Sequence, residues 1–238
     1  MRKLYSVLIL LLAALLISSC SKEEKNPTEP GGENNSKAPG LPNVTFKGPN
    51  TQTNDLYALR TKASVESFNT YPLLINSVFS AVQPSSSDGE WRWVVNPGGT
   101  ASETFIGKKN SDGGYYWSLI LNGKIQNTSY DSWKAFDGTT SADGKSGNWK
   151  VYDKNTVNLV GEFTWSTNSA GILKGIFIEY SNGTTSGKYE VTNNPDNSGS
   201  LKIYTKNVLE FESSWKSDGT GDWHSYENGV EKTNGNWY

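Results

Sequence analysis

The 238-residue sequence contains one cysteine, one methionine and one histidine, and each scarcity removes a class of chemistry. A single thiol cannot close an internal disulfide, so packing and hydrogen bonds must hold the folded part together. A single histidine excludes zinc centres built from several His or Cys ligands, and any Ser-His-Asp triad would have to use His224. Its nearest carboxylate in sequence, Asp222, lies two residues away on the same strand face, about 6.6 Å at the Cα level, which argues against a triad. No Gly-x-Ser-x-Gly elbow and no phosphate-cradling glycine loop is present. Glu210 and Glu212 share a strand face, so they point in parallel rather than at each other across a substrate, as a glycosidase pair would. The turn Asn194 to Gly199 has oxygen donors at alternate positions, but Thr205 stands where a calcium loop would need its closing Glu. The sequence therefore predicts no catalytic residue, no metal site and no cofactor.

Charge is also sparse: 19% of residues are charged and the formal net charge is −2. A protein without basic excess is not expected to bind nucleic acid by neutralising phosphates. Long apolar runs are lacking too. The longest, Val7 to Ile17, would rise about 16 Å as a helix against a hydrocarbon core of about 30 Å. Aromatic residues and glycine, by contrast, are plentiful: 9 Trp, 12 Tyr, 8 Phe and 24 Gly. That composition suits a β-protein with many tight turns.

The first residues, MRKLYSVLILLLAALLISSC, join a basic start at Arg2 and Lys3 to the apolar run and then to small residues before Cys20. Ile17-Ser18-Ser19-Cys20 resembles the lipobox of bacterial lipoproteins, and the chain's one cysteine occupies the box position. The resemblance implies that residues 1–19 are a cleaved signal peptide and that Cys20 is acylated by chains such as palmitate. It also implies that the membrane partner is reached through those lipids. Removal of Arg2 and Lys3 would leave a formal charge of −4, from 20 basic and 24 acidic residues. Ser21 resembles the outer-membrane sorting pattern, and Lys22-Glu23-Glu24 looks like a surface-export signal, so an outer-membrane lipoprotein facing the periplasm or the cell surface is expected. Residues 20–43 hold Pro27, Pro30, Pro39 and Pro42 and almost no apolar side chain, which predicts a flexible tether. Residues 44–238 then form one β-rich domain.

Within that domain Tyr71, Leu74, Ile75, Val78, Phe79 and Val82 fall on one helical stripe, with a further turn or two around Leu56 to Phe68. Pro84 and Ser85 to Ser87 are read as its end. From Glu90 onward the period becomes two. Tyr115, Trp117, Leu119 and Leu121 share one face, as do Val157, Leu159, Phe163 and Trp165, and Leu209, Phe211 and Trp215. Ile172 to Tyr180 is apolar on both faces and is expected to lie where both are covered, for example under the helix. The fold class is thus mainly β, an amphipathic helix followed by a 10–12-stranded antiparallel meander forming a curved sheet or open barrel. In architecture it is broadly similar to the open half-barrel lipoprotein carriers and, less so, to lipocalins, without a motif of either.

Three segments share a pattern: Ser146 to Tyr152, Ser198 to Tyr204, and Thr220 to Tyr226, with a truncated copy at Asn234 to Tyr238. The Gly-x-Trp-x-x-Tyr rhythm resembles that of MORN-type repeats, whose regular short period is absent. Two sites follow. A lipid or other apolar ligand held in the curved sheet would meet Trp117, Phe163, Trp165 and Phe211. A glycan or envelope partner would instead meet the opposite face, at Tyr152, Tyr204, Tyr226 and His224, where the alternative is cross-strand support among solvated side chains. Both readings are non-enzymatic.

Overall fold

The computed structural model describes residues 38–40, 42, 44–50, 53–70, 83–96, 100–125, 128–154 and 156–238. The signal segment, Cys20, nearly all of the tether and the stripe Tyr71 to Val82 lie outside these residues. Thirteen strands run in chain order: β1 (Ser85–Ser87), β2 (Glu90–Val95), β3 (Ser102–Lys109), β4 (Tyr115–Ile125), β5 (Thr128–Thr140), β6 (Ser146–Tyr152), β7 (Leu159–Thr167), β8 (Leu173–Ser181), β9 (Thr184–Asn193), β10 (Gly199–Thr205), β11 (Val208–Trp215), β12 (Gly221–Glu227) and β13 (Val230–Trp237). Each pairs with the next, antiparallel, in one 13-stranded sheet whose first and last strands do not meet, so it is not a closed barrel. The count exceeds the 10–12 expected. One strand read differently is β1, whose three serines hide any apolar alternation; Ser85 to Ser87 do not merely end a helix but pair with β2.

The two ends of the sheet are built differently. At one end the turns Asn182-Gly183, Lys206-Asn207 and Asn228-Gly229 have both residues at positive φ, the I′ geometry whose twist matches that of the strands, and Asp88-Gly89 has it at the opposite end, where Lys109 N–H donates to Gly89 O. The remaining connections at that opposite end are longer. They are closed by Asn110 N–H to Gly114 O, Ser141 N–H to Ser146 O, Asn168 N–H to Ile172 O, Asn194 N–H to Ser198 O and Lys216 N–H to Thr220 O. In four of them an Asp side chain (Asp112, Asp143, Asp196 or Asp218) accepts the backbone N–H two residues on, an Asx-turn that pre-shapes the loop.

On the inner face glycine and tryptophan alternate across strands. Trp117 sits between Gly107 and Gly138, Trp165 between Gly147 and Gly175, and Trp215 between Gly199 and Gly221. The rings lie over the glycines. A Cβ on Gly107 would stand 2.6 Å from the Trp117 ring, on Gly147 2.2 Å from Trp165, on Gly199 2.4 Å from Trp215, and on Gly221 2.3 Å from Trp237. A large ring thus fills the space that each missing side chain leaves. Three of the indoles also reach back into the long turns: Trp165 Nε1 donates to Gly144 O (3.2 Å), Trp215 Nε1 to Asn197 O (3.0 Å) and Trp237 Nε1 to Gly219 O (2.8 Å). The repeat visible in the sequence is therefore a repeat of turn, glycine and supporting indole.

One helix among the described residues, α1 (Leu56–Ser67), covers part of this face. Asp55 caps it, accepting from Tyr57 N (2.8 Å) and Ala58 N (3.0 Å), and Ala58, Thr61 and Val65 are fully buried on one stripe. Thr61 Oγ1 meets Ser213 Oγ at 2.9 Å, Tyr57 stacks on Trp223 at 3.5 Å, and the Arg60 guanidinium lies 4.3 Å over Phe211. Beside α1, the segment around Phe46 runs as a strap held by two side-chain amides. Asn69 pairs with both backbone groups of Phe46, and Asn193 with both of Lys47. Phe46 then lies against Phe68 and Phe163, over Gly175, where a Cβ would come within 2.4 Å.

Two expectations about faces change. β8 has both faces apolar, yet only one is covered: Gly175 and Phe177 lie inward, Phe177 against Phe68, whereas Ile176 is 37% exposed. A single-layer cover protects one face of a sheet, so the opposite face of β8 stays with solvent. Neither Val157 nor Leu159 joins Phe163 and Trp165: a register shift sets Leu159 opposite the outward Tyr152 while Val160 packs on the core, and Val157 is 89% exposed in the loop before β7.

Candidate functional site

Trp117, Phe163, Trp165 and Phe211 all lie on the inner face, each at most 3% exposed, although only Phe163 and Trp165 touch each other. The space in front of them is occupied by other side chains. Trp117 contacts Phe105, Trp93 and Tyr115, Phe163 contacts Trp165, Phe46 and Phe68, and Phe211 lies under Arg60 and Tyr57. They form the core, and the aromatic contacts contribute beyond the area they bury.

On the outer face the structure gives Tyr152, Tyr204, Tyr226 and His224 one shared geometry. Lys150, Lys202 and His224 stand directly opposite Asp137, Glu190 and Glu212 on the preceding strand. The tyrosine two residues further on reaches back to the same carboxylate: Tyr152 Oη to Asp137 Oδ1 (2.9 Å), Tyr204 Oη to Glu190 Oε2 (3.0 Å), and Tyr226 Oη to Glu212 Oε1. Burial, with the hydrogen bond to Glu190, pushes the Tyr204 phenol up to about 12, and the bond to Glu212 does the same for Tyr226. Glu212 is held below its usual range chiefly by the Tyr226 hydroxyl and by Lys202. His224 lies 3.3 Å from Glu231 and 3.8 Å from Asp222. These hydroxyls are committed to carboxylates, so the face is a self-satisfied ladder.

Tyr204→Phe is expected to lower stability by about 1 kcal/mol in urea unfolding at neutral pH. Burial raises the Glu190 carboxyl, but bonds from Lys188 and Tyr204 outweigh it and lower the pKa. That stabilisation is lost as pH falls through the carboxylate range, so the difference between variant and parent is expected to shrink in acid. A constant difference from pH 7 to pH 3 would contradict the assignment.

A third place was not foreseen in the sequence. At the long-turn end, the strap and the β5–β6, β7–β8 and β9–β10 turns enclose a cleft of about 720 Å³. Pro42 rests on Gly144 and Pro195 on Gly171, the nearest atoms being 3.2 Å from where a Cβ would stand. Both glycines have positive φ, so other side chains would strain these turns as well as crowd them. Two of the walls are supported from below by the indoles of Trp165 and Trp215 through Gly144 O and Asn197 O. Asn193, 7% exposed, ties the strap to the end of β9. The lining includes Tyr115, Thr140, Ser141, Thr167, Asn194 and Asn197. Of its charged members, Lys145 lies 3.7 Å from Asp143, whereas Lys47 Nζ donates to the neutral Asn197 Oδ1 at 3.0 Å and keeps its charge. Sequence periodicity could not show this site, because its residues come from turns that are adjacent only once every second hairpin returns to the same end. Among the described residues no cluster of His, Cys, Asp and Glu is placed to hold a metal ion. Neither a protein-family model nor a curated protein matches this chain.

Proposed function

We propose that this protein is a lipid-anchored extracytoplasmic binding module, without catalytic chemistry, that takes a polar ligand in the cleft at the long-turn end of its sheet. The observation that carries the reading is the preformed cleft, whose walls are turns already held by Asx bonds and by buried indoles. Pre-organised walls lose little entropy when a ligand binds. An apolar or lipid ligand is less well supported, because Trp117, Phe163, Trp165 and Phe211 would have to give up existing contacts to admit it. The anchor rests on Cys20 in Ile17-Ser18-Ser19-Cys20, which would place the module on the outer membrane, facing the periplasm or the cell surface.

Two measurements test this. Cys20→Ala is expected to abolish incorporation of a radiolabelled fatty acid, and continued labelling would overturn the anchor. Native mass spectrometry of protein purified from its own membrane is expected to show a polar adduct that is lost in Asn193→Ala, where the strap is released. A lipid adduct retained in that variant would overturn the cleft reading and favour the inner face.

A further inference from the structure

We infer that the cleft is a saccharide site, taking a short, hydroxyl-rich oligosaccharide against the ring of Tyr115. The inference rests on the binding reading above and names the ligand class. Its volume of about 720 Å³ lies within the usual range of small-ligand sites. Apart from Lys47, Asp143 and Lys145, the polar side chains of its lining are neutral hydroxyls and amides, several with hydrogen-bonding capacity to spare. Thr140 Oγ1 accepts from Trp117 Nε1, which leaves its own O–H to donate. Asn194 uses its Nδ2 on Ser198 and keeps its carbonyl oxygen, whereas Asn197 uses its Oδ1 on Lys47 and keeps its N–H donors. Side chains that offer donors and acceptors in mixed order match vicinal hydroxyls, each of which both donates and accepts.

The half-buried Tyr115 supplies the apolar element. Its ring is braced by Trp117 at 5.8 Å and Trp91 at 6.2 Å, and among the described residues its hydroxyl makes no hydrogen bond. An amphipathic ring with a polar tip suits the C–H faces and rim hydroxyls of a sugar.

Other ligand classes fit less well. A multiply charged anion would meet the Asp143 carboxylate beside Lys145 at 3.7 Å, with Lys47 as the one cation of the lining that no carboxylate accompanies among the described residues. A peptide adding itself as a strand would need a free sheet edge, but the strands around the cleft, β5 to β10, are all paired on both sides.

The test is a glycan array of bacterial and host polysaccharide fragments probed with the detergent-solubilised full chain, followed by calorimetry on the best hit. Micromolar or tighter binding is expected. It should weaken about tenfold in Tyr115→Phe and in Asn194→Ala, the equivalent of about 1.4 kcal/mol each, and stay unchanged in a Tyr152→Phe, Tyr204→Phe, Tyr226→Phe variant. Tyr115→Phe keeps the ring packing, and near-ultraviolet circular dichroism checks that the fold is intact. An array without a hit overturns the saccharide assignment. If native mass spectra still show a polar adduct lost in Asn193→Ala, the cleft reading survives that result, and if they do not, both fall. Saccharide binding that ignores the cleft variants and disappears in the tyrosine variant would move the site to the outer face and overturn the inference.

Discussion

Glu103→Gln is expected to make the protein more stable at pH 8 and to flatten its stability between about pH 4.5 and pH 7. Glu103 lies on the inner face of β3, opposite Val95 and Leu121, 3% exposed, with Oε1 buried and without a hydrogen-bond partner. Burial alone lifts its carboxyl from 4.5 to about 7, since an apolar environment disfavours the charged form. The sign follows from proton binding. The native state holds its proton more tightly than the unfolded chain, so the protonated carboxyl is accommodated at full stability below pH 4.5. Stability then falls as pH rises through the folded pKa. A shift of that size corresponds to a loss of roughly 3 kcal/mol on ionisation. Glutamine cannot ionise and avoids the loss. Urea unfolding of both proteins from pH 4 to pH 8 should give curves that diverge by that amount at the alkaline end; parallel curves would show that Glu103 does not titrate in its buried position.

Gly107→Ala is expected to be among the most damaging single-methyl additions in the domain, costing roughly 1–3 kcal/mol or more. The new Cβ would stand 2.6 Å and 3.0 Å from atoms of the Trp117 ring. That ring cannot retreat, being completely buried between Gly107 and Gly138 with its Nε1 bonded to Thr140 Oγ1 at 3.0 Å. The control is Gly40→Ala, where nothing stands within 4 Å of the added carbon; its melting temperature should not change. A double-mutant cycle isolates the cause. Trp117→Phe is itself destabilising, but in that background Gly107→Ala should cost clearly less, because the smaller ring no longer overlies the glycine. Strict additivity of the two changes would mean that Gly107 is required for some reason other than the ring above it.

The strand register was largely legible because period-two alternation leaves a strong trace when one face is buried. Trp117, Phe163, Trp165 and Phe211 were read onto one face and are on it. The Gly-x-Trp-x-x-Tyr rhythm was read as turn plus strand, and Tyr152, Tyr204 and Tyr226 do project from the face opposite Trp149, Leu201 and Trp223. Less legible was β1, whose three serines show no alternation. So was α1, whose inward stripe of Ala58, Thr61 and Val65 includes a threonine that looks polar until it meets Ser213. Leu159 was misplaced because a register shift is set by pairing with the neighbouring strand, and a neighbour is not visible in a local window; Val157 falls before the strand begins.

Local chemistry was enough to establish strand alternation, the many tight turns and the sparing use of charge, because each depends on a few adjacent residues and on solvent. What filled the inner face was a question for the tertiary structure. Whether four aromatic side chains line a cavity or a core depends on what lies above them, and over Phe163 and Phe211 that is supplied by α1, the Phe68 that follows it and a strap pinned at Asn69 and Asn193, far from those strands in sequence. The cleft was decided there too, since it exists only because every second turn of an antiparallel meander returns to the same end of the sheet.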